Sequence, residues 1–287
     1  MNQPIVGIGE LLWDIYPDGR KVAGGAPFNF AFHCHQLGHE AVIVSRVGDD
    51  ELGRELREEV RRLGLSDAFI QTDREHPTGT VTVSLDANKV PTYTINENVA
   101  WDYIGAEVAS LEEGVRHNVR AICFGTLALR SPVSRHSILN EVRGGAHMLR
   151  VLDVNIRKPH TPSAQLIREC SEDANWIKVS VDDLDAVETP LDFDHCDAAS
   201  LLIVTRGLDG FEIHNAEGRV LQESAVPAKV IDTVGAGDAF TAAMVCLHLE
   251  GKPLRECARF ANRYAARVCE HQGATPRIDR AEVEAAL

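Results

Sequence analysis

The sequence predicts an α/β protein: a doubly wound, mostly parallel sheet flanked by helices, with a small β-sheet lid. Three observations lead there. Short apolar runs alternate with amphipathic helical patterns for most of the 287 residues. One stretch in the middle switches to period-two alternation. No internal repeat or low-complexity tract interrupts the chain, which is 44% apolar and 25% charged, as an ordinary globular domain is. We take 1–287 as a single domain.

Each element has its own justification. Pro4–Gly9 is a short apolar run and reads as a buried parallel strand, as do Ala41–Ser45, Ala121–Gly125, Val151–Val154, Trp176–Val179 and Leu201–Val204. After the first strand, Gly24-Gly25-Ala26-Pro27-Phe28-Asn29 reads as a tight turn feeding a helix. Pro27 fits its first turn, the helix runs to Leu37, and Gly38 caps it. Asp49-Asp50 caps the next helix, which carries Leu52, Leu56, Val60 and Leu63 on one face and ends at Gly64. Gly79–Asp86 and Pro91–Asn96 alternate in period two around the polar turn Asp86-Ala-Asn-Lys89, the pattern of an antiparallel hairpin. We expect segments 16–23 and 79–102 to form the lid.

Composition excludes several function classes. A net charge of −14 argues against nucleic acid, which needs a basic groove. Any phosphate must be held by local donors and helix ends. The N-terminal MNQPIVGIGELLWDIYPDG has no basic start, and Glu10 and Asp14 break its apolar run, so no signal peptide is expected. No run of about 18 apolar residues exists, so no membrane span is expected. The seven cysteines are scattered without a C-x-x-C and read as reduced thiols of a cytoplasmic protein.

Two stretches carry candidate chemistry. In DTVGAGDAF (232–240), Gly235-Ala236-Gly237 at a helix start presents unpaired backbone N–H groups and the positive end of the helix dipole, an anion site. Asp238 sits in that first turn. A carboxylate beside a phosphate site suits removal of a proton from an attacking hydroxyl. The same spacing also fits an N-capped helix with glycines for close packing. In GGAPFN, Gly24 and Gly25 let backbone approach a ligand and Asn29 offers an amide to hydroxyls; a plain turn into a helix is the alternative. Other signals fail. In HCHQLGH, His33 and His35 point to opposite sides of a helix, and Gly38 falls between His35 and His39, so no metal site is expected. Gly7-Ile-Gly9 lacks the third glycine of a dinucleotide fingerprint, and there is no P-loop.

GGAPFNFAFHCHQLG, VSRVGDDELG, IVTRGLDG and DTVGAGDAF, in this order and spacing, resemble the landmarks of the ribokinase (PfkB-type) carbohydrate kinase family across nearly the whole chain. GELLWDIYPDG, GGAPFN and DVNIRK look most like its fructokinase branch. The resemblance implies a ribokinase-like fold and a phosphotransferase that moves the γ-phosphoryl group of ATP to a sugar hydroxyl. By resemblance, Asp238 is the base, and Gly235, Ala236 and Gly237 are the anion hole. Asp14, placed at the end of the first strand, grips sugar hydroxyls together with Gly24, Gly25 and Asn29. Arg157 in DVNIRK matches a cation suited to the phosphate or to an acidic sugar. Thr205, Gly207 and Gly210 match the nucleotide loop, and Asn262 lies on a helix near the adenine. Asp232 and the Val234 carbonyl match part of a monovalent-cation site, which implies potassium. Where the family carries Asn-x-x-Glu, linked to magnesium and phosphate, this chain has Ser180-Val-Asp-Asp183. Asp183 keeps the charge about one methylene shorter, with magnesium reached through water. Lys178 has no assigned role.

Fructose is the favoured acceptor, with another sugar, 2-keto-3-deoxygluconate or a nucleoside as alternatives within the class. Lid residues Tyr93 and Ile95, with Arg157, are expected to make the choice; Tyr93 and Trp101 are the aromatic side chains available to a nucleoside base. A catalytically silent sugar-binding or regulatory protein on the same fold is the alternative of a different class. Val81, Val83 and Leu85 put more apolar surface on the hairpin than a solvated ribbon carries. A second subunit's lid is therefore expected to cover them, giving a homodimer.

Overall fold

The computed structural model describes residues 3–85, 91–105, 118–144, 147–186 and 201–286. In chain order the strands begin with β1 (Ile5–Ile8), β2 (Leu12–Ile15), β3 (Lys21–Gly24), β4 (Ala41–Gly48) and β5 (Ile70–Asp73). Next come β6 (Thr80–Leu85), β7 (Pro91–Ile95), β8 (Ala121–Gly125) and β9 (Leu149–Asp153). The last are β10 (Trp176–Ser180), β11 (Leu201–Thr205), β12 (Phe211–Asn215) and β13 (Gly218–Glu223). The helices are α1 (Ala26–Gln36), α2 (Glu51–Arg62), α3 (Pro132–Gly144), α4 (Ala164–Glu172), α5 (Val181–Ala186), α6 (Ala236–Leu249), α7 (Leu254–Cys269) and α8 (Arg280–Ala285).

Nine strands form one sheet in the order β13-β12-β11-β10-β9-β8-β1-β4-β5. All six strands read from the sequence lie in it, paired parallel from β4 through β11. Alternate residues feed two cores, which is why the runs are continuously apolar. Ile5, Ile43, Cys123, Val151, Trp176 and Ile203 pack under α1, α6 and α7. Val6, Val44, Phe124, Leu152, Ile177 and Val204 pack under α3 and α4. Each fully buried aliphatic or Phe side chain contributes about 1.5–3 kcal/mol. The chain winds outward from β1 to β4, then returns to β8 on the other side of β1. That reversal opens a crevice at the C-terminal strand ends, where open α/β sheets bind ligands.

The remaining four strands make a small sheet in the order β3-β2-β6-β7. Gly9, at φ 146°, lets the chain leave the large sheet after β1. Asp14 therefore does not end the first strand, as the sequence reading placed it, but lies in β2 of the small sheet. The predicted hairpin is β6 paired antiparallel to β7; its polar turn lies outside the described residues. Opposed residues share a face: Asp14 faces Val81, which faces Ile95, and Val83 faces Tyr93. Val81 and Val83 are buried within the single chain, so no second subunit is needed to cover them. The segment after β7 returns to the main core, where Val99, Ala100 and Trp101 are buried.

Candidate active site

The first turn of α6 is shaped by glycine. Gly235 caps it at φ 80°, a left-handed conformation that an L side chain adopts only at a cost, and no side chain caps the turn. A Cβ on Gly235 would stand 2.7 Å from Ala274. Ala239 makes the first intrahelical bond, to Gly235 O, so the N–H groups of Gly237 and Asp238 have no acceptor within the helix. These donors stand at the positive end of the dipole, where an anion is favoured; of the expected set Gly235, Ala236 and Gly237, the Ala236 N–H is instead turned to Thr233 O at 3.3 Å. Asp238 is buried beside them and accepts a 2.8 Å hydrogen bond from Asn29 Nδ2. Burial and the neighbouring Asp153 push its pKa up to about 6, against the opposing pull of Asn29, Lys178 and Arg157.

Opposite this turn stands the start of α1. Gly25, at φ 115°, approaches the backbone of Glu10, where a Cβ would meet the carbonyl oxygen at 2.2 Å. Glu10 Oε1 in turn accepts from Ala26 N at 3.2 Å, bracing the glycine turn. Gly24 leaves room for Asp14, whose Oδ2 would lie 3.0 Å from a Cβ there. Burial raises Asp14 to about 6, and Arg157 pulls it back. Burial likewise raises Glu10 to about 7. The Tyr16 and Tyr93 phenols are pushed up by burial and by the charge of Asp14 and Asp232. Tyr93 is exposed, and Ile95 is half-buried on the same face.

On the other flank, Thr205 ends β11, and Gly207 and Gly210 close the loop behind it, both with positive φ. A Cβ on Gly210 would meet Glu223 O at 2.0 Å. Asn262 on α7 donates to Ser224 O at 2.8 Å and accepts from Val226 N at 3.4 Å, so it clips the segment between β13 and α6. Asp232 ties its own turn to a distant loop, accepting from Val234 N at 3.1 Å and from Gly273 N at 2.9 Å. Asp183 is buried with both carboxylate oxygens engaged: Oδ1 accepts from Ile156 N at 2.6 Å, and Oδ2 accepts from Ser180 N and Oγ at 2.8 and 2.7 Å. That brace joins the segment carrying Arg157 to the end of β10. His33, in contrast, is a core residue held by Tyr264 OH at 3.0 Å and Ala274 O at 2.9 Å.

Sequence reasoning missed three members of this site. Glu10 was read only as a charge that breaks an apolar run. Asp153 and Lys178 sit opposite each other on β9 and β10, with Lys178 Nζ 3.0 and 3.2 Å from the two Asp153 oxygens. The available signal was a lysine inside Trp176–Ser180, a strand otherwise buried on both faces. Together the crevice holds an uncapped helix N-terminus, a buried carboxylate beside it, and a second carboxylate, Asp14, under the small sheet. Such a constellation can hold a phosphoryl group and deprotonate a hydroxyl aimed at it.

Comparison with known proteins agrees with that chemistry. Residues 16–280 match the pfkB family carbohydrate kinase profile. A probable fructokinase-4 of Arabidopsis thaliana is 30% identical over 318 residues, covering 99% of this chain and 96% of the relative. The crystal structure of a Pyrococcus horikoshii sugar kinase in complex with ATP is 27% identical, with a TM-score of 0.85, covering 97% of this chain and 96% of that one. A Xylella fastidiosa fructokinase with bound ATP shares the fold at 20% identity, with a TM-score of 0.87 over 99% of this chain and 98% of that one. The chain belongs to the pfkB family of carbohydrate kinases and is a phosphotransferase acting on a sugar hydroxyl.

Proposed function

We propose that the protein is an ATP-dependent fructokinase in which Asp238 is the base. The observation that carries the mechanism is Asp238 itself: a buried carboxylate, held by Asn29, in the uncapped first turn of α6. A pKa of about 6 leaves it ionised at neutral pH and still basic enough to take a proton. Asp14, with the backbone at Gly24 and Gly25, orients the sugar so that one hydroxyl meets Asp238. The N–H groups of the first turn, Gly237 foremost, meet the charge that develops on the phosphoryl oxygens. Thr205, Gly207 and Gly210 line the nucleotide side, and Arg157 stands between the two substrates. The small sheet closes over the sugar and keeps water from the transferring group.

Among the described residues no three His, Cys, Asp or Glu side chains form a metal cage. A magnesium ion bound mainly by nucleotide phosphates needs one or two carboxylates and keeps several waters. Asp183 is the carboxylate proposed for it, reached through water at Oδ1, which accepts one hydrogen bond where Oδ2 accepts two. Potassium at Asp232 and the Val234 carbonyl is the second proposed ion, and indifference of turnover to potassium against a bulky organic cation removes it. Among the described residues the outer edge of β7 has no strand partner, and Tyr93 is exposed on that strand, which supports a lid-to-lid homodimer. A monomer by light scattering at micromolar concentration removes that proposal.

Fructose rests on the likeness to fructokinases, and charge supports a neutral acceptor. Asp14, Glu10 and Asp238 line the sugar side, and Lys178 is already committed to Asp153. Among the described residues Arg157 is the cation whose charge reaches both Asp14 and Asp238, and one cation against three carboxylates favours a neutral acceptor over 2-keto-3-deoxygluconate. Trp101 offers no slot to a nucleoside base: it is fully buried, with the Arg130 guanidinium stacked 4.0 Å over its ring. Release of ADP, measured as kcat/KM for fructose, ribose, 2-keto-3-deoxygluconate and inosine, tests the reading. We expect fructose to lead at least tenfold, about 1.4 kcal/mol. A smaller lead ends the fructokinase assignment, and no turnover with any sugar favours the silent binding protein.

A further inference from the structure

Lys178 is a buried cation in a place where a lysine is rarely kept. It follows Trp176 by two residues in β10 and so points to the same face, toward the core under α6. Its ammonium is held by Asp153, but Asp153 is not its only close neighbour. A Cβ on Gly237 would stand 3.0 Å from Lys178 Nζ, so the ammonium fills the room that any side chain at 237 would need. The glycine of the anion turn is shaped for this lysine from behind as well as for a phosphoryl group from in front. Asp153 reaches the same helix one turn on, where Thr241 Oγ1 donates to it at 3.4 Å. The pair thus touches α6 at 237 and at 241, on either side of Asp238. As a stabilising device the pair is poorly chosen, since buried ion pairs seldom outperform apolar residues of similar volume.

We propose that Lys178 is a positioning residue of the transfer site: anchored on Asp153 behind Gly237, its ammonium keeps Asp238 a carboxylate and ready to take the hydroxyl proton. This rests on the kinase reading for its consequence but not for its electrostatics. The groups that set the charge at Asp238 are Asp153, Lys178, Arg157 and Glu10, with Asn29 as the hydrogen-bond donor. Asp183 acts on Lys178 and Asp153 from α5. Burial pulls Lys178 toward the neutral form, and Asp153, Asp238 and Asp183 outweigh it, so the ammonium persists.

The test compares the wild type with Lys178→Met, Asp153→Asn and the double variant. Two readouts are taken: the pH profile of kcat/KM, and the titration of Asp238 by carbon NMR of carboxyl-labelled aspartate, assigned with Asp238→Asn. Lys178→Met should move the acid limb and the Asp238 titration up by about one pH unit. Asp153→Asn should move both down, and the double variant should return to near the wild-type position. A merely structural ion pair predicts lower melting temperatures with neither shift, and that result overturns the proposal. If Lys178→Met does not fold, Lys178→Gln takes its place: an upward shift of the Asp238 titration supports the inference and an unmoved titration refutes it. These NMR shifts in the variants, beside a wild type that phosphorylates no sugar, would sink the kinase reading and leave the charge coupling standing.

Discussion

Asn29 Nδ2 donates to Asp238 Oδ2 across 2.8 Å in the buried seam between α1 and α6. One N–H of the amide expected to serve sugar hydroxyls is thus committed to the base, while its Oδ1 is buried without a partner among the described residues. Its bond favours the ionised form of Asp238, against burial and Asp153, which favour the protonated one. A hydrogen bond to a charged group is worth about 1.5–3 kcal/mol. Asn29→Leu should therefore lower kcat/KM at neutral pH by roughly 10–100-fold. Its acid limb should move upward from about 6, because the folded protein then holds the Asp238 proton more tightly. A pH–rate profile with unchanged limb position would remove Asn29 from this role.

Asp238→Asn separates catalysis from stability. Turnover should fall by about 10²–10⁴-fold, with the KM values for sugar and ATP within a few-fold of wild type, since the carboxylate acts in the transition state. The folded-state pKa is raised from 3.8 to about 6, so ionised Asp238 destabilises the fold as pH rises through that window. The variant should then melt higher than wild type at pH 8 and gain little at pH 4. Retention of a tenth of the rate would disqualify Asp238 as the base.

The parts of the site that were legible are those in which local sequence dictates local shape. Gly235–Asp238 and Gly24–Asn29 each announce a helix start by small residues, and the conformations at Gly25 and Gly235 require them. The parallel strands were legible because burial on both faces leaves continuous apolar runs. What escaped depends on pairing across the fold. Asp153 and Lys178 are 25 residues apart and meet only because β9 and β10 align in register. Asp14 was recognised but assigned to the wrong strand, because the departure of the chain at Gly9 is a backbone event that no side-chain pattern records.

Glu10 offers a test of burial alone. One oxygen holds Ala26 N and the other, Oε2, is buried without a partner. Its pKa rises from 4.5 to about 7, chiefly through desolvation. A raised carboxyl pKa means that the fold binds the proton more tightly than the unfolded chain, so stability is lost as pH climbs from about 4.5 through 7. Glu10→Gln should keep the brace to Ala26 while removing the charge. We expect a gain of about 3 kcal/mol at pH 8, shrinking below about 1 kcal/mol at pH 5. Denaturant unfolding at the two pH values decides it; an equal change at both would assign the effect to packing.

Arg157 carries the sharpest division between roles. Among the described residues it has no carboxylate partner within ion-pair distance, and its guanidinium donates to its neighbour's carbonyl, Ile156 O, at 3.3 Å. Yet its charge lowers the pKa of Asp14, Glu10 and Asp238 together, so all three crevice carboxylates feel it. An uncommitted cation there has two employments, the phosphoryl group or a sugar carboxylate, and kinetics tells them apart. If it meets charge developing in the transition state, Arg157→Met should lower kcat with fructose by roughly 10–100-fold while leaving the fructose KM nearly unchanged. The acid limb should rise as well, because Asp238 loses a nearby positive charge. If it reads an acidic acceptor instead, the variant should turn over fructose normally and lose activity with 2-keto-3-deoxygluconate through KM alone. Initial rates with both acceptors at pH 6 and pH 8 distinguish these outcomes, and we expect the first.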